Sequence, residues 1–184
     1  MRWLMSRILD LLLRPWASAH AGPGARMGFP RRLRGRQRVH FGRRTRVGAH
    51  GWIEAVVRFR DQEFDPHIDI GEDVAIGRYA TITCTRLVSI GDGCLFSEGV
   101  YISDTAHDVL GFSALPLAHR GLVTGGEVHI GPRCFLGFRA CVLPGVTLGE
   151  ACVVGAHSVV THSFEAGSVL AGAPARLIRR VAQP

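Results

Sequence analysis

The residues most able to carry chemistry in this chain are a histidine and the carboxylates beside it. They lie in the segment SDTAHD, residues 103–108. A neighbouring carboxylate can fix the tautomer of an imidazole and raise its basicity, as a general base near neutral pH requires. His107 is therefore a candidate general base, and Asp104 and Asp108 are candidates to orient it. A surface histidine with acidic neighbours would explain the same segment without chemistry.

The remaining histidines have no comparable arrangement. His129 lies between two inward positions and so points outward, while His157 and His162 are close in sequence but lack a third partner. Five others stand apart from any constellation: His20, His40, His50, His67 and His119. We therefore expect no metal site, although spacing alone does not detect histidines gathered at a subunit interface. The sequence has no nucleophile elbow, phosphate-binding loop or dinucleotide fingerprint.

The elements that hold these side chains follow a six-residue period. From Val128 to Val160 an aliphatic residue recurs at every sixth position, and a stripe of small residues runs two positions earlier. The aliphatic positions are Ile130, Leu136, Val142, Leu148, Val154 and Val160. Each unit is then a short strand with two inward side chains and a tight, often glycine-containing turn. Such repeats predict a parallel β-helix, in which stacked units share one core.

The ladder of aliphatic residues is interrupted in the first half of the chain. It begins at Val39, breaks near residues 58–66, and skips two residues after Ile82. It then lapses between Ile102 and Ile130. A long segment without the repeat, inserted in a regular solenoid, predicts a functional loop.

Composition indicates one folded domain with an uneven charge. The chain has 184 residues, is 47% hydrophobic and carries a net charge of +7. More than half of its 22 basic residues lie in residues 1–46, beside a single acid, Asp10. This basic region is either a solvated face or a surface for anions. The chain has five cysteines, and Cys94, Cys134 and Cys152 fall on the small inward stripe, which favours buried thiols and a reducing compartment.

The amino-terminal residues leave three interpretations open. Residues 1–16 place apolar side chains on one face at helical spacing, and Pro15 ends the pattern. They form a helix packed on the column, an amphipathic helix on an anionic membrane, or a cleaved signal peptide. No transmembrane span is expected. The predicted organisation is an amino-terminal helix and basic connector (1–38), a β-helix domain (39–170) with an inserted loop (103–127), and a closing turn with a basic tail (171–184).

Three segments resemble hexapeptide-repeat O-acetyltransferases of the galactoside and maltose acetyltransferase type, most closely the lipopolysaccharide or capsule branch. The entry segment is FPRRLRGRQRVHFGRRTRVGAHGWIEA. The second, VSIGDGCLFSEGVYISDTAHD, is similar to the family segment whose catalytic histidine falls on His107. The third, VLPGVTLGEACVVGAHSVVTHSFEAGSVLAGAPARLIRR, resembles the coils and closing turn that bind coenzyme A. The resemblance covers about residues 28–180.

The resemblance implies a left-handed parallel β-helix and a homotrimer with active sites between subunits. His107 would take the proton from an acceptor hydroxyl as it attacks the thioester of acetyl-CoA, and then protonate the departing thiolate. Phe138 and Ala156 would lie beside the pantetheine arm, although the family more often has a small residue at the first position. The phosphates of the cofactor would lie near Thr161, His162, Arg176, Arg179 and Arg180, where His162 replaces a lysine that is usual in the family.

The acceptor side departs further from the galactoside enzymes. Gly77 and Thr85 stand where those enzymes have an asparagine and an aspartate, so a galactoside is not expected. The candidates for acceptor contacts are Tyr79, Tyr101, Arg86 and Glu98. The resemblance implies O-acetylation of a surface polysaccharide or its lipid-linked precursor; transfer to the amine of a nucleotide-linked amino sugar and a non-catalytic scaffold remain alternatives. We expect a cytoplasmic protein with no nucleic-acid partner, and contact of residues 1–46 with the inner face of an anionic membrane stays open as an alternative to a solvated face.

Overall fold

Short strands follow one another around a three-sided column that is filled by the aliphatic and small stripes of the repeat. The computed structural model describes residues 21–181. Two side chains of each unit point inward, because successive residues of a strand alternate between its faces. A single unit is too small to bury these side chains, and the parallel stacking of successive units covers them.

The first three coils of the column are formed as follows. The first has β1 (Arg26–Met27), β2 (Arg32–Arg34), a 3-10 turn (Arg36–Arg38) and β3 (Val39–Phe41). The second has β4 (Arg46–Val47), β5 (Trp52–Ala55), a hairpin of β6 (Arg58–Phe59) and β7 (Gln62–Glu63), and then β8 (His67–Ile70). The third has β9 (Ala75–Ile76), β10 (Thr81–Cys84) and β11 (Leu87–Ile90).

The upper coils contain the long insertion and the closing strands. The fourth has β12 (Leu95–Phe96) and β13 (Tyr101–Ser103), the inserted β14 (Thr105–His107), 3-10 turn (Leu117–His119) and β15 (Leu122–Thr124), and then β16 (Val128–Ile130). The fifth has β17 (Phe135–Leu136), β18 (Cys141–Val142) and β19 (Thr147–Leu148). The sixth has β20 (Val153–Val154) and β21 (Val159–Val160), and β22 (Ser168–Gly172) and β23 (Ala175–Arg180) close the column.

The three sides of the column are sheets in which each strand pairs with its equivalent in the next coil. Sheet 1 has eight strands in the order β1-β4-β9-β12-β17-β20-β22-β23, sheet 2 has six in the order β2-β5-β10-β13-β18-β21, and sheet 3 has five in the order β19-β16-β11-β8-β3. The pairs between coils are parallel, and β23 closes sheet 1 by running antiparallel to β22. The prediction of a parallel β-helix is confirmed.

In-register stacking of branched aliphatic side chains holds the coils together. On sheet 2, Ile82 pairs with Ile53 below it and Ile102 above it, and Ile102 pairs in turn with Val142. Each of these side chains is at most 1% exposed. Burial of one such side chain contributes on the order of 2 kcal/mol, so the column is stabilised along its whole height by the same few positions of the repeat.

Two corners of the column matter for the site. The aromatic corner, between sheets 1 and 2, comprises residues 28–31, 48–51, 77–80, 97–100, 137–140 and 155–158. The insertion corner, between sheets 2 and 3, comprises residues 35–38, 56–66, 85–86, 104–127, 143–146 and 161–163. Coils approach closely where a turn opens with glycine: a Cβ on Gly137 would lie 2.6 Å from the backbone nitrogen of Ala156. The two interruptions of the repeat occur at the same point of their coils, so both segments project from the insertion corner.

The column begins earlier than the predicted boundary at residue 39, which is a correction. Strands β1 and β2 pair with β4 and β5, so residues 26–34 already belong to the first coil. The ladder is present there, because Met27 and Leu33 pack against the core six and twelve residues after Ala21. Arginines at the outward positions obscure this pattern in the sequence. The predicted helix at residues 1–16, with the membrane and signal-peptide alternatives, lies outside the described residues.

Two protrusions leave the insertion corner, where the sequence predicts one. The inserted loop carries β14 and β15, which pair antiparallel as a ribbon, and the hairpin of β6 and β7 stands beside it. In residues 21–181 no helix has the length and hydropathy needed to cross a membrane.

Candidate functional site

His107 lies at the insertion corner, at the end of the first strand of the ribbon. It is exposed, and it pairs across the ribbon with Leu122. Its ring meets the ring of Phe59 edge to face, with centroids 5.7 Å apart. The imidazole nitrogens have no hydrogen-bond partner among residues 21–181 and face solvent. An imidazole in this position can accept a proton from a bound substrate.

The hairpin beside the ribbon braces the strand opposite His107. The side-chain amide of Gln62 donates to the backbone oxygen of Leu122 at 3.0 Å and accepts from its backbone nitrogen at 2.7 Å. The amide therefore makes the two hydrogen bonds to Leu122 that the backbone of a neighbouring strand would make. Arg60 also donates to the backbone oxygen of Ala118 in the loop. No local pattern in the sequence indicates this brace, although the interruption at residues 58–66 falls at the same point of the coil as the long loop.

Asp104 does not orient His107, which corrects the first of the two predicted orienting roles. Its side chain is fully buried. One carboxylate oxygen accepts from the backbone nitrogen of Thr85 at 2.8 Å, and the other accepts from those of Arg86 and Leu87 at 2.6 and 2.9 Å. Asp104 thus fastens the start of the loop to the coil below. Backbone donors around a buried carboxylate compensate its lost hydration.

Asp108 makes no side-chain hydrogen bond to the imidazole within residues 21–181. Its backbone nitrogen donates to the oxygen of Gly121 at 3.1 Å, which continues the pairing of the ribbon beyond His107. Its carboxylate lies 3.4 Å from the place that a Cβ on Gly111 would take. The second predicted orienting role therefore has no contact in this chain to support it.

Polar contacts also fix the base and the tip of the inserted loop. At the base, Arg86 forms an ion pair with Glu127 at 2.7 Å, so this predicted acceptor contact is occupied within the chain. At the tip, the guanidinium of Arg120 donates to three backbone oxygens, those of Gly111 at 2.6 Å and of Ser113 and Leu115 at 3.1 Å each. The loop therefore has a defined shape although most of its side chains are exposed.

The predicted pantetheine contacts come together at the aromatic corner. Phe138 and Ala156 occupy equivalent places on the fifth and sixth coils, since β17 and β20 pair in register. Phe138 is 41% exposed, its ring meets that of His157 edge to face at 5.3 Å, and the guanidinium of Arg139 lies 5.0 Å above it. The two residues thus form one exposed strip. Tyr79 and Glu98 lie lower on the same corner, and Tyr101 is half-buried on the outer side of sheet 2.

The structure does not bring the rest of the predicted cofactor set to this strip. Thr161 and His162 follow β21 and lie at the insertion corner, across sheet 2 from Ala156. Arg176 is the second residue of β23, next to the turn that follows the aromatic corner. Arg179 and Arg180 lie at the other end of β23, where Arg180 forms an ion pair with Glu165 at 2.7 Å.

His107 and the Phe138 strip lie on different corners of one chain. Sheet 2 separates them. Its strand on the fourth coil, from which the loop of His107 leaves, is β13 with three residues. At about 3.3 Å per residue this is roughly 10 Å of strand. The imidazole and the Phe138 strip of one chain are therefore separated by the width of this sheet.

Among the described residues of this single chain there is no cluster suited to a metal ion, and most thiols are buried. No cluster of three or more His, Cys, Asp or Glu side chains in residues 21–181 could hold a metal ion. The five cysteines are free thiols, four of them buried. Burial, followed by the nearby charge of Asp104, raises the pKa of Cys84, and burial raises the pKa of Cys141. Thiols held protonated in this way are poor nucleophiles.

Comparison with known sequences finds the same repeat and related enzymes. A family described as the hexapeptide repeat of succinyl-transferase matches residues 67–104 and 127–162. Galactoside O-acetyltransferase of Escherichia coli is 33% identical over 140 residues, which are 73% of this chain and 63% of that protein. A second Escherichia coli protein, named for lipopolysaccharide biosynthesis O-acetyl transfer, is 34% identical over 119 residues, 61% of this chain and 60% of that protein. The chain thus spans about three fifths of the length of these relatives.

Comparison with solved structures supports the fold. An N-acyltransferase from Bacillus cereus, crystallised as a mutant with dTDP and coenzyme A, superimposes with a TM-score of 0.66 at 18% identity, covering 88% of this chain and 83% of that one. At this identity the likeness concerns the fold alone. Together with the hexapeptide repeat, it confirms the prediction of a left-handed parallel β-helix.

Proposed function

We propose, because this chain belongs to the hexapeptide-repeat acetyltransferase family, that it transfers the acetyl group of acetyl-CoA to a hydroxyl of a surface polysaccharide or its precursor. The observation that carries the proposal is the exposed imidazole of His107, unpaired among residues 21–181 and held on a braced ribbon. Acetyl transfer from a thioester to a hydroxyl needs a base at such a place, and it needs neither a metal nor an enzyme nucleophile.

The imidazole carries out both proton transfers of the reaction. As the acceptor oxygen forms its bond to the acetyl carbon, His107 takes the hydroxyl proton. When the carbon–sulfur bond breaks, the protonated ring gives that proton to the thiolate of coenzyme A. The ring returns to its neutral form, and an acetyl ester and free coenzyme A leave. The Phe59 ring presents an apolar edge to the imidazole and supplies no charge to compete with this cycle.

Each active site combines two protomers of a homotrimer. The support is the separation of His107 from Phe138 and Ala156 within one chain, which a contact between the insertion corner of one protomer and the aromatic corner of the next removes. In a closed ring of identical subunits such unlike patches meet at every interface. A row of apolar side chains on the outside of sheet 1 offers further contact area: Ala75, Leu95, Phe135, Val153 and Val169.

The basic first coils bring the enzyme to the inner face of an anionic membrane. Arg26 and Arg46 pair in register on the outside of sheet 1, and neither forms a salt bridge among residues 21–181. Each arginine near such a surface contributes about 1 kcal/mol of attraction. Flotation with anionic vesicles tests this: Arg26→Ala with Arg46→Ala weakens binding. The control Arg43→Ala lowers it less, because Arg43 is already paired with Glu72. Equal loss in both variants would contradict the proposal.

The test of the function is turnover of acetyl-CoA with an acceptor for wild type and two variants. Removing a general base lowers turnover by roughly 10²- to 10⁴-fold, so His107→Ala shows this loss and binds coenzyme A normally. The matched control is His119→Ala in the same loop, which keeps wild-type turnover. Unchanged turnover in His107→Ala removes His107 from the mechanism, and a wild type that turns over no acceptor favours a scaffold.

Transfer to an amine is the second candidate. The similarity in fold to an N-acyltransferase crystallised with dTDP and coenzyme A favours it, and the same imidazole serves an amine that loses its proton on acylation. A screen of sugar nucleotides that carry an amino group, against lipid-linked saccharides that carry only hydroxyls, separates the two acceptors. Mass spectrometry of the product then distinguishes amide from ester by its stability in mild alkali.

A further inference from the structure

A cavity opens at the lower end of the aromatic corner, below the Phe138 strip. Its volume is about 320 Å³, and it is lined by Arg31, His50, Trp52, Tyr79 and Thr81 from the first three coils. Sites for small ligands start at roughly 300 Å³. We call it the acceptor cavity. None of its lining residues has a role in the mechanism above, and Tyr79 is the one that the sequence predicts as an acceptor contact.

The lining combines flat rings with an uncompensated positive charge. The rings of His50 and Tyr79 stack with centroids 5.3 Å apart and planes 19° from parallel. The guanidinium of Arg31 lies 5.6 Å from the centre of the Trp52 ring. No acidic residue in the described part of the chain pairs with Arg31, whereas Arg32 beside it is paired with Glu54 at 3.0 Å. Such a lining suits a ring that stacks and an anion that binds the free guanidinium.

The cavity lies at a level on the column that the proposed reaction requires of an acceptor site, below the Phe138 strip and next to the coil that carries His107. Tyr79 belongs to the third coil and Phe138 to the fifth, so they are two rungs apart, about 10 Å at 4.8 Å per rung. The fourth coil lies between them, and the loop that carries His107 leaves from that coil. In a ring with its axis along the columns, equivalent coils lie at the same height. The neighbour's His107 therefore reaches the level between the cavity and the thioester.

We propose that the acceptor cavity binds a saccharide that carries a phosphate. The ring packs against the stacked pair of His50 and Tyr79, the phosphate pairs with Arg31, and the hydroxyl to be acetylated points toward the fourth coil. This assignment rests on the proposed function and names its acceptor class: an activated or lipid-linked sugar rather than a neutral galactoside. The phosphate comes from a sugar nucleotide or from the pyrophosphate of a lipid carrier, which offer the same chemistry to Arg31.

Fluorescence of Trp52 tests occupancy of the cavity itself. The chain has three tryptophans, and Trp3→Phe with Trp16→Phe leaves Trp52 as the sole emitter. The probes are UDP-glucose, vesicles that contain a polyprenyl-pyrophosphate-linked glucose, and methyl β-galactoside. A phosphate-bearing probe changes the emission saturably, and methyl β-galactoside at the same concentration does not. A response to UDP-glucose identifies the nucleotide source, and a response confined to the vesicles identifies the lipid source.

Two variants locate the binding energy. Arg31→Ala weakens the phosphate-bearing probe roughly tenfold to 100-fold, the range for a lost hydrogen bond to a charged group. Arg34→Ala, a matched change at an exposed arginine outside the lining, leaves it unchanged. Tyr79→Asn removes the ring and keeps a residue that tolerates the positive φ of 59°, and it weakens the probe as well.

Three results would overturn the assignment: no response to any phosphate-bearing probe at millimolar concentration, equal affinity for the neutral galactoside, or unchanged affinity in Arg31→Ala. Calorimetric titration with coenzyme A separates this failure from failure of the proposed function. Unchanged coenzyme A binding, with turnover that still depends on His107, would leave the function standing without this cavity. Loss of those two properties would contradict the function itself.

Discussion

The brace between Gln62 and the ribbon gives the most specific prediction about His107. Gln62→Ala removes the hydrogen bonds of 3.0 and 2.7 Å that its amide makes to the backbone of Leu122. Each such bond contributes about 0.5–1.5 kcal/mol net. Both partners are half-buried, so water partly replaces them and about 1–2 kcal/mol of docking free energy is lost. That loss lowers the ratio of docked to undocked ribbon by a factor of about 5–30.

The expected result is a fall in kcat that follows the docked fraction and reaches at most about 5- to 30-fold, since His107 pairs directly with Leu122 and only the docked ribbon presents it correctly. The KM for acetyl-CoA and the pH profile stay close to wild type, because the thioester strip and the identity of the base are untouched. Gln37→Ala, at an exposed glutamine in the first coil, is the matched control and keeps full activity.

Hydrogen exchange supplies the structural half of the assay. The backbone N–H of Leu122 donates to Gln62, so its exchange accelerates in Gln62→Ala by about 5- to 30-fold, the change in the ratio of docked to undocked ribbon. Gly121→Ala displaces the same amide independently, because its Cβ would lie 2.4 Å from the side-chain oxygen of Gln62. Exchange as fast as in an unfolded peptide, with unchanged kcat, would refute the positioning role, and unchanged exchange would refute the hydrogen bonds themselves.

Three further predictions concern the loop and the core. Asp104→Ala leaves three backbone donors without the carboxylate that accepts from them. Denaturant titration then shows a free energy of unfolding lower by about 3–5 kcal/mol. A loss below about 1 kcal/mol would contradict the role of Asp104 in fastening the loop to the coil below. Arg120→Ala releases the loop tip and speeds chymotryptic cleavage at Phe112, while an unchanged rate would mean that its three backbone contacts do not hold the tip. Because burial raises the pKa of Cys141, this thiol reacts with iodoacetamide at pH 8 more slowly than in unfolded protein, and equal rates would exclude the raised pKa.

The fold was predictable because the core of this column is periodic in the sequence. Every inward position recurs at six residues, so the stripe from Ile130 to Val160 predicts the parallel stack without tertiary information. The first coil was missed because arginines dominate β1 and β2. Handedness does not follow from the period, and it rested on family resemblance.

The candidate site was predictable only in part, because its geometry depends on contacts between distant segments. The interruption of the repeat and the flanking acids identify His107, but sequence proximity also suggests Asp104 as its partner. In the structure this carboxylate instead accepts hydrogen bonds from backbone nitrogens of the coil below. Gln62 lies 60 positions away from Leu122, and no local pattern connects them. The two interruptions of the repeat, at residues 58–66 and after Ile102, fall at the same point of their coils, and this is the one sequence feature that places both segments at the same corner.

The central claim, that each active site joins the His107 of one protomer to the aromatic corner of its neighbour, is tested most directly with mixed trimers. His107→Ala lacks the base, and Ala156→Trp blocks the exposed strip where we place the pantetheine arm. Each variant alone is inactive. After the two are unfolded and refolded together in equal amounts, about a quarter of the interfaces pair an intact base with an intact strip.

We predict that the mixture regains about a quarter of wild-type turnover, with the two variants combined at random in a cyclic trimer. If native mass spectrometry verifies that mixed trimers have formed and the mixture still shows no turnover, the shared site is contradicted. A protein that remains monomeric and active would contradict it equally.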